Sequence, residues 1–323
     1  MPRLRLTVFL LLFAPLARPE PIRVQAVRVG LSPQRPAVER VGALVYRGGL
    51  MLSSPDRRFG GFSGLLVSKD GGRLRAVSDE GSWLEARLVY DSRGFLAGLT
   101  DAQLGPLRDP EGQPLKEKLW QDAESLTALP DGSLVVGFER QHRLWRFRGE
   151  RPFEAAAEAF TMPPTIARLP ENGGLEAIAA LPDGRFLAVS EEAFDEQGHL
   201  RGFLLQAGRW SPVSYRVLDT PVPSDAAALA SGDVLVLERS FSPVRGVLAR
   251  VRRIEQRTLE PGALLDPAVL AEFKPPLAID NFEGLAVRED KGETLVYLIS
   301  DDNFNKLQRT LLFQFALQDV PTR

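Results

Sequence analysis

The chain has 323 residues, is 44% hydrophobic and 25% charged, and carries a net charge of −2, with no cysteine and two histidines. These are ordinary globular proportions, and no clustered basic face points to nucleic acid. The missing cysteines exclude disulfides, thiolate metal sites and a cysteine nucleophile, and His142 and His199 are too few for a multi-histidine metal centre.

Arg3 and Arg5 precede an apolar run at residues 6–16. A basic start followed by a run too short to span a bilayer is an export signal, with cleavage placed after Ala17. The expectation is a signal peptide over residues 1–20 and a single domain over residues 21–323. That domain is expected as a monomer in the periplasm or the medium, and off the membrane once the signal is removed. No other stretch approaches the roughly 20 apolar residues of a membrane-spanning helix. Residues 23–40 carry Pro33 and Pro36 and form an extended lead-in, and residues 40–52 hold one or two strands without a neighbouring hairpin partner.

From there a pattern returns: an acid, a short apolar strand, a Gly-bearing turn, a second apolar strand and a second acid. It is clearest at Asp122-Ala123-Glu124-Ser125, with the turn Pro130-Asp131-Gly132 and the closing Glu139-Arg140. Glu176 opens a copy with Pro182-Asp183-Gly184 and closes it at Glu191; Glu283 opens another that closes at Asp301-Asp302. Ser63 stands in the opening acid's place in a first copy that ends at Asp79-Glu80. A worn copy from Ser224 has alanines there and ends at Glu238-Arg239. Proline presets the turn and glycine allows its positive φ. The strands are nearly continuous apolar runs, so both faces are covered.

A spacing of roughly 50–60 residues between strand pairs belongs to a propeller or repeat array. The expected fold is all-β, a β-propeller of about five or six four-stranded blades. Five motif-bearing hairpins are legible, and a sixth blade would have to come from residues 23–52 or 91–121. Residues 41–52 are expected to close the ring by adding a fourth strand beside residues 310–317, which removes an open edge. Residues 91–121 read as one outer strand plus an excursion, and residues 151–171 as an outer strand or one helical turn.

In an antiparallel hairpin the start of the first strand lies beside the end of the second, and innermost strands line a common channel. Asp79, Glu124, Glu139, Glu176, Glu191, Glu238, Glu283 and Asp301 are therefore expected in a ring at one mouth, with Glu80, Glu192, Asp225, Asp280, Asp302 and Asn303 nearby. Converging carboxylates repel one another and raise each other's pKa. Either a hard cation such as calcium or the basic residues Arg140, Arg239, Lys306 and Arg309 must offset them. In the first case Asp79, Glu139, Glu191, Glu238 and Asp301 are the expected metal ligands. Arg140, Arg239 and Lys306 are the expected substrate-binding cations, since a guanidinium suits an anionic ester. Glu124, Glu176, Glu283 and Arg309 are the expected catalytic residues, with water as nucleophile. Ser63 lacks the Gly two positions on that a nucleophile elbow needs. His142 is either a base near the mouth or a surface side chain.

The segments Gly60-Gly61-Phe62-Ser63-Gly64-Leu65, Leu237-Glu238-Arg239-Ser240-Phe241, Asp280-Asn281-Phe282-Glu283-Gly284-Leu285 and Ile299-Ser300-Asp301-Asp302-Asn303-Phe304 together resemble the phytase-like family of exported bacterial proteins, described as "esterase-like activity of phytase". The resemblance runs over roughly residues 45–317. It implies a β-propeller, possible calcium dependence, and hydrolysis of a phosphomonoester or another ester of a small anionic molecule. A calcium-dependent lactonase-type propeller and a non-catalytic propeller that binds a ligand or protein remain the alternatives.

Overall fold

A computed structural model describes residues 19–318 apart from 36, 163–164, 167–168 and 245. The expected signal segment lies outside the described residues. Five sheets, antiparallel except where Leu264–Leu265 pairs in parallel on the rim of the third, are arranged so that each innermost strand packs on the next: Phe62–Val67, Ala123–Ala128, Leu175–Ala180, Val222–Ala228 and Asn281–Asp290, with the last returning to the first. The fold is a five-bladed β-propeller. Residues 91–121 add the outer strand Leu96–Pro106 of blade one and then a wandering segment that ends in the helical turn Lys118–Gln121. Residues 151–171 give both a 3-10 turn, Pro152–Glu154, and the outer strand Glu158–Ala159 of blade two.

The ring closes as expected. Strand Leu44–Ser53 pairs antiparallel with Thr310–Leu317, with Thr310 opposite Leu52 and Leu317 opposite Leu44. The N-terminal strand is thus the fourth strand of blade five, and Gln25–Arg28 lies outside it. Joining the two chain ends in one sheet leaves no blade unpaired along the ring. The apolar runs of the second strands, such as Leu134–Phe138, are wholly buried between neighbouring blades.

Every innermost strand is broken by a β-bulge at the same height. The pairing skips one residue between Phe62 and Gly64, between Ala123 and Ser125, between Leu175 and Ala177, between Pro223 and Asp225, and between Phe282 and Gly284. The extra residues are Ser63, Glu124, Glu176, Ser224 and Glu283. A bulge leaves one residue out of the ladder and re-aims its side chain. Ser224, rather than an alanine, therefore stands in the fourth copy's opening place.

Below the bulges, Asp225 is fully buried. Its carboxylate accepts the N–H of Leu285 at 2.6 Å and of Ala226 at 2.8 Å. The Leu65 amide of blade one also acts on it. Blades four and one are not neighbours, so this one side chain spans the axis. Burial pushes its pKa well above the usual carboxylate range, although these amides pull it down.

Candidate functional site

The bulge residues and the closing residues meet in a cavity of about 280 Å³ at one end of the axis. Its walls carry eight carboxylates (Asp79, Asp122, Glu124, Glu139, Glu176, Glu191, Glu283 and Asp301) and three cations (Lys118, Arg140 and Arg239). Fully ionised, that leaves a surplus of 8 − 3 = 5 negative charges around one small space. Seven of the eight expected ring acids are in place.

The eighth, Glu238, is not. The pairing puts Glu238 opposite Pro223 and Arg239 opposite Val222. The residues matching Glu238 in other blades are Ser78, Ser190 and Ser300, and the residue matching the closing acids is Arg239. Side chains alternate along a strand, so a slip of one residue changes the face. Glu238 turns into blade four, fully buried, where it accepts from Tyr215 Oη at 2.7 Å and Arg252 Nη1 at 2.8 Å and lies 3.4 Å from Arg250 Nη1. Arg239 enters the cavity instead. The turn glycine carried the signal: 139 − 132, 191 − 184 and 239 − 232 are each 7.

Arg239 reaches between Glu283, at 3.0 Å, and Glu191, at 3.5 Å. Its Nε makes no hydrogen bond, so the attraction is an ion pair without alignment. Arg140, held at φ 55°, donates to Asp122 at 2.5 Å. The helical turn brings Lys118 within 2.9 Å of Asp79 and 2.8 Å of Asp122. Burial alone would lower the Lys118 pKa, but its bonds to Asp122 and Asp79 raise it. Asp122 and Lys118 were not among the expected site residues. Asp122 sits two positions before a bulge acid, and Lys118 lies in a stretch without strand pattern. Lys306 and Arg309 are a second correction. Arg309 is bound at Nε to Asp280 at 3.2 Å and at Nη2 to the Ile279 carbonyl at 2.9 Å. With Lys306 it lines a separate cleft outside the cavity. His142 packs against Gly174, with Nε2 2.6 Å from the Pro170 carbonyl, and does not line the cavity.

The remaining acids are poorly compensated. Burial, then Glu283 and other acids, raises Glu124 well above the ordinary range; burial, then Glu124 and Glu191, does the same to Glu176. Burial pushes Glu191 up to about 7 although Arg239 opposes it, and burial with the Glu283 charge pushes Asp301 up to about 8. Glu283 is also raised, chiefly by burial, while Arg239 and the Asn281 Nδ2 donor at 2.5 Å pull it down. Beside it, the buried Ser63 hydroxyl also pulls the Glu283 pKa down. Oxygens of Asp122, Glu124 and Glu139 all lie within 4.8 Å of one another. A cavity whose candidate ligands are all oxygens and which carries excess negative charge fits a hard cation.

Three solved propeller-type chains show how distant the known likenesses are. A candidate gluconolactonase is 14% identical, with 95% of this chain and 96% of that one covered and a TM-score of 0.43. The calcium-binding protein regucalcin from Agrobacterium tumefaciens strain C58 is 13% identical, with 84% and 80% covered and a TM-score of 0.43. Virginiamycin B lyase from Staphylococcus aureus is 8% identical, with 91% and 100% covered and a TM-score of 0.40. Likeness this remote carries no inference about chemistry. No curated protein matches the chain. The family described as "Phytase-like: Esterase-like activity of phytase" matches residues 57–304.

Proposed function

The chain belongs to the phytase-like family, and from that premise we propose that it is an ester hydrolase whose chemistry takes place in the carboxylate cavity with a calcium ion. The observation that carries this reading is the excess of eight carboxylates over three cations around one small, water-reachable cavity. Glu124 and Glu139, with Glu176 and Glu191 beside them, would hold the ion, because Asp122 is already bound by Lys118 and Arg140. Bound there, calcium polarises an ester oxygen and lowers the pKa of a water.

The chain's own residues do the rest. Glu283 is the general base: it is buried, oriented by Asn281 and raised toward the working pH, which is the match proton transfer requires. Arg239 sits beside it and offsets negative charge that develops on the substrate. Asp79 and Asp301 border the same side and keep the Glu283 proton affinity high. Arg140 is engaged by Asp122 and stays with it rather than receiving a substrate anion.

The surplus negative charge also favours one ester class. With calcium bound, 5 − 2 = 3 surplus negative charges remain when every acid is ionised, and a phosphomonoester dianion is repelled by them more strongly than a neutral carboxyl ester or lactone. Carboxyl esters, lactones included, are therefore the proposed substrates, ahead of phosphomonoesters. Export, argued from Arg3, Arg5 and residues 6–16, and a monomeric state belong to the same proposal. The test is to purify the exported form and assay p-nitrophenyl acetate, a γ-lactone and p-nitrophenyl phosphate before and after chelation. Carboxyl-ester turnover lost to EDTA and restored by calcium supports the reading. No turnover in any class would overturn it and favour a binding propeller.

A further inference from the structure

Alongside the cavity lies a larger cleft of about 780 Å³, which shares Asp79, Lys118 and Asn303 with it as a common wall. The cavity's 280 Å³ is smaller than an ordinary small-molecule site. It has room for an ester group and little more, so the body of a substrate must lie next door. The two spaces differ in character. The cavity is walled by charge, whereas the cleft adds an apolar side, formed by Pro106, Pro114 and the ring of Phe304, to the charged Arg57, Arg58, Asp79, Glu80 and Lys118.

Phe304 is 42% exposed, yet its position is set. Asn303 and Phe304 both hold left-handed backbone, at φ 47° and 49°. Asp302 fixes this turn by accepting the N–H of Phe304 at 3.1 Å, the N–H of Gly61 at 3.1 Å and the Thr310 hydroxyl at 3.0 Å. The charges around the cleft are almost all spoken for. Lys118 meets Asp79 at 2.9 Å and Glu80 at 3.6 Å. Arg58 is held by Asp56 and Glu20, at 2.7 Å each. Arg57, on the cleft's rim, makes no ion pair or hydrogen bond among the described residues.

We propose that this cleft is the subsite for the non-reacting part of the substrate, an unbranched apolar chain that ends in a carboxylate paired with Arg57. It rests on the ester-hydrolase reading of the neighbouring cavity, and it names the substrate as an ester of an ω-carboxylated medium-length acid.

The experiment compares p-nitrophenyl acetate, butyrate and hexanoate with the mono-p-nitrophenyl ester of adipic acid, on the calcium-loaded protein and its Phe304→Ala and Arg57→Gln variants. Both side chains are exposed, so neither substitution threatens folding. For the parent protein, kcat/KM rises about threefold to fourfold per added methylene, and the terminal carboxylate adds about fivefold to tenfold. Phe304→Ala lowers the hexanoate-to-acetate ratio about fivefold. Arg57→Gln removes the carboxylate preference and keeps the chain-length preference. A flat chain-length series, or one equally steep in Phe304→Ala, overturns the subsite while the hydrolase stands. Should no ester be turned over, calorimetric binding of adipic acid monoamide decides. Binding weakened about fivefold or more by both variants upholds the subsite and rejects the hydrolase, and no binding, or binding the variants leave unchanged, rejects both.

Discussion

Replacing Glu124 with glutamine keeps the shape of a protonated glutamic acid and removes its ability to ionise. Glu124 lies within 4.8 Å of oxygens on Asp122 and Glu139. Asp122 is already neutralised by Lys118 and Arg140, so Glu139 is the near carboxylate left to repel Glu124, in addition to Glu283. Two unit charges at that distance repel by about 3.5 kcal/mol at an effective dielectric of ~20. A domain of this size gains roughly 2 °C in Tm per kcal/mol. Without a cation at pH 8.5, Glu124→Gln is therefore expected to melt about 7 °C above the parent. At pH 5 the parent's Glu124 has taken up its own proton, because burial and neighbouring acids raise its pKa well above the ordinary range, and the gain disappears. Calcium should act in the opposite sense. At a hundredfold excess over Kd it stabilises the parent by about 2.7 kcal/mol, roughly 5 °C, and barely shifts the variant. Thermal melts at both pH values, with EDTA and with calcium chloride, measure all four states. A variant less stable than the parent at pH 8.5 in EDTA, or one that keeps the full calcium shift, refutes the charge argument.

Glu238→Gln should behave as the reverse case: it leaves the buried Arg252 with Asp266, at 3.6 Å, as its one acid among the described residues, while Arg250 keeps Asp219 and Glu272; it costs about 3 kcal/mol and lowers Tm by roughly 6 °C, while calcium still produces the parent's shift. Arg239→Met removes the positive charge 3.0 Å from Glu283 and 3.5 Å from Glu191. Calcium affinity by calorimetry should tighten about tenfold, ~1.4 kcal/mol; unchanged or weaker binding counts against Arg239 as the cavity's competing cation. Glu191 and Asp301 have folded pKa values raised to about 7 and about 8, so the folded state keeps protons that the unfolded chain has lost. In EDTA, stability should fall as pH rises from about 4 through 8 and level off above, and calcium should flatten that slope. A cation-free protein that grows more stable over this range contradicts the raised pKa values.

The architecture was legible because propeller hairpins impose local rules. The Pro-Asp-Gly turns, the apolar strand pairs and their spacing follow from backbone geometry within about twenty residues. The N-terminal closure was legible from the edge that residues 310–317 would otherwise expose. The ring acids were legible for the same reason, since antiparallel pairing places Glu124 near Glu139 whatever surrounds them. Glu238 was misplaced because Glu238-Arg239 repeats the letters of Glu139-Arg140 one step out of register, and only the distance from Gly232 betrays it. Lys306 and Arg309 were misplaced because the loop that carries them is directed by contacts remote in sequence, such as Arg309 with Asp280. Lys118 depends on where a loop of irregular backbone returns to the axis, which no periodicity encodes. Arg57 likewise gains its significance from a cleft assembled by four separate loops and a strand end.

Asp225 gives the axial space a floor. It joins blade four to its neighbour blade five through the Leu285 N–H at 2.6 Å and to blade one across the centre through the Leu65 amide, and it is fully buried. The mouth is consequently a cul-de-sac rather than a tunnel. Whatever enters must leave by the same doorway, backing out past Phe304 and Lys118, so an incoming molecule waits until the departing one has cleared the threshold.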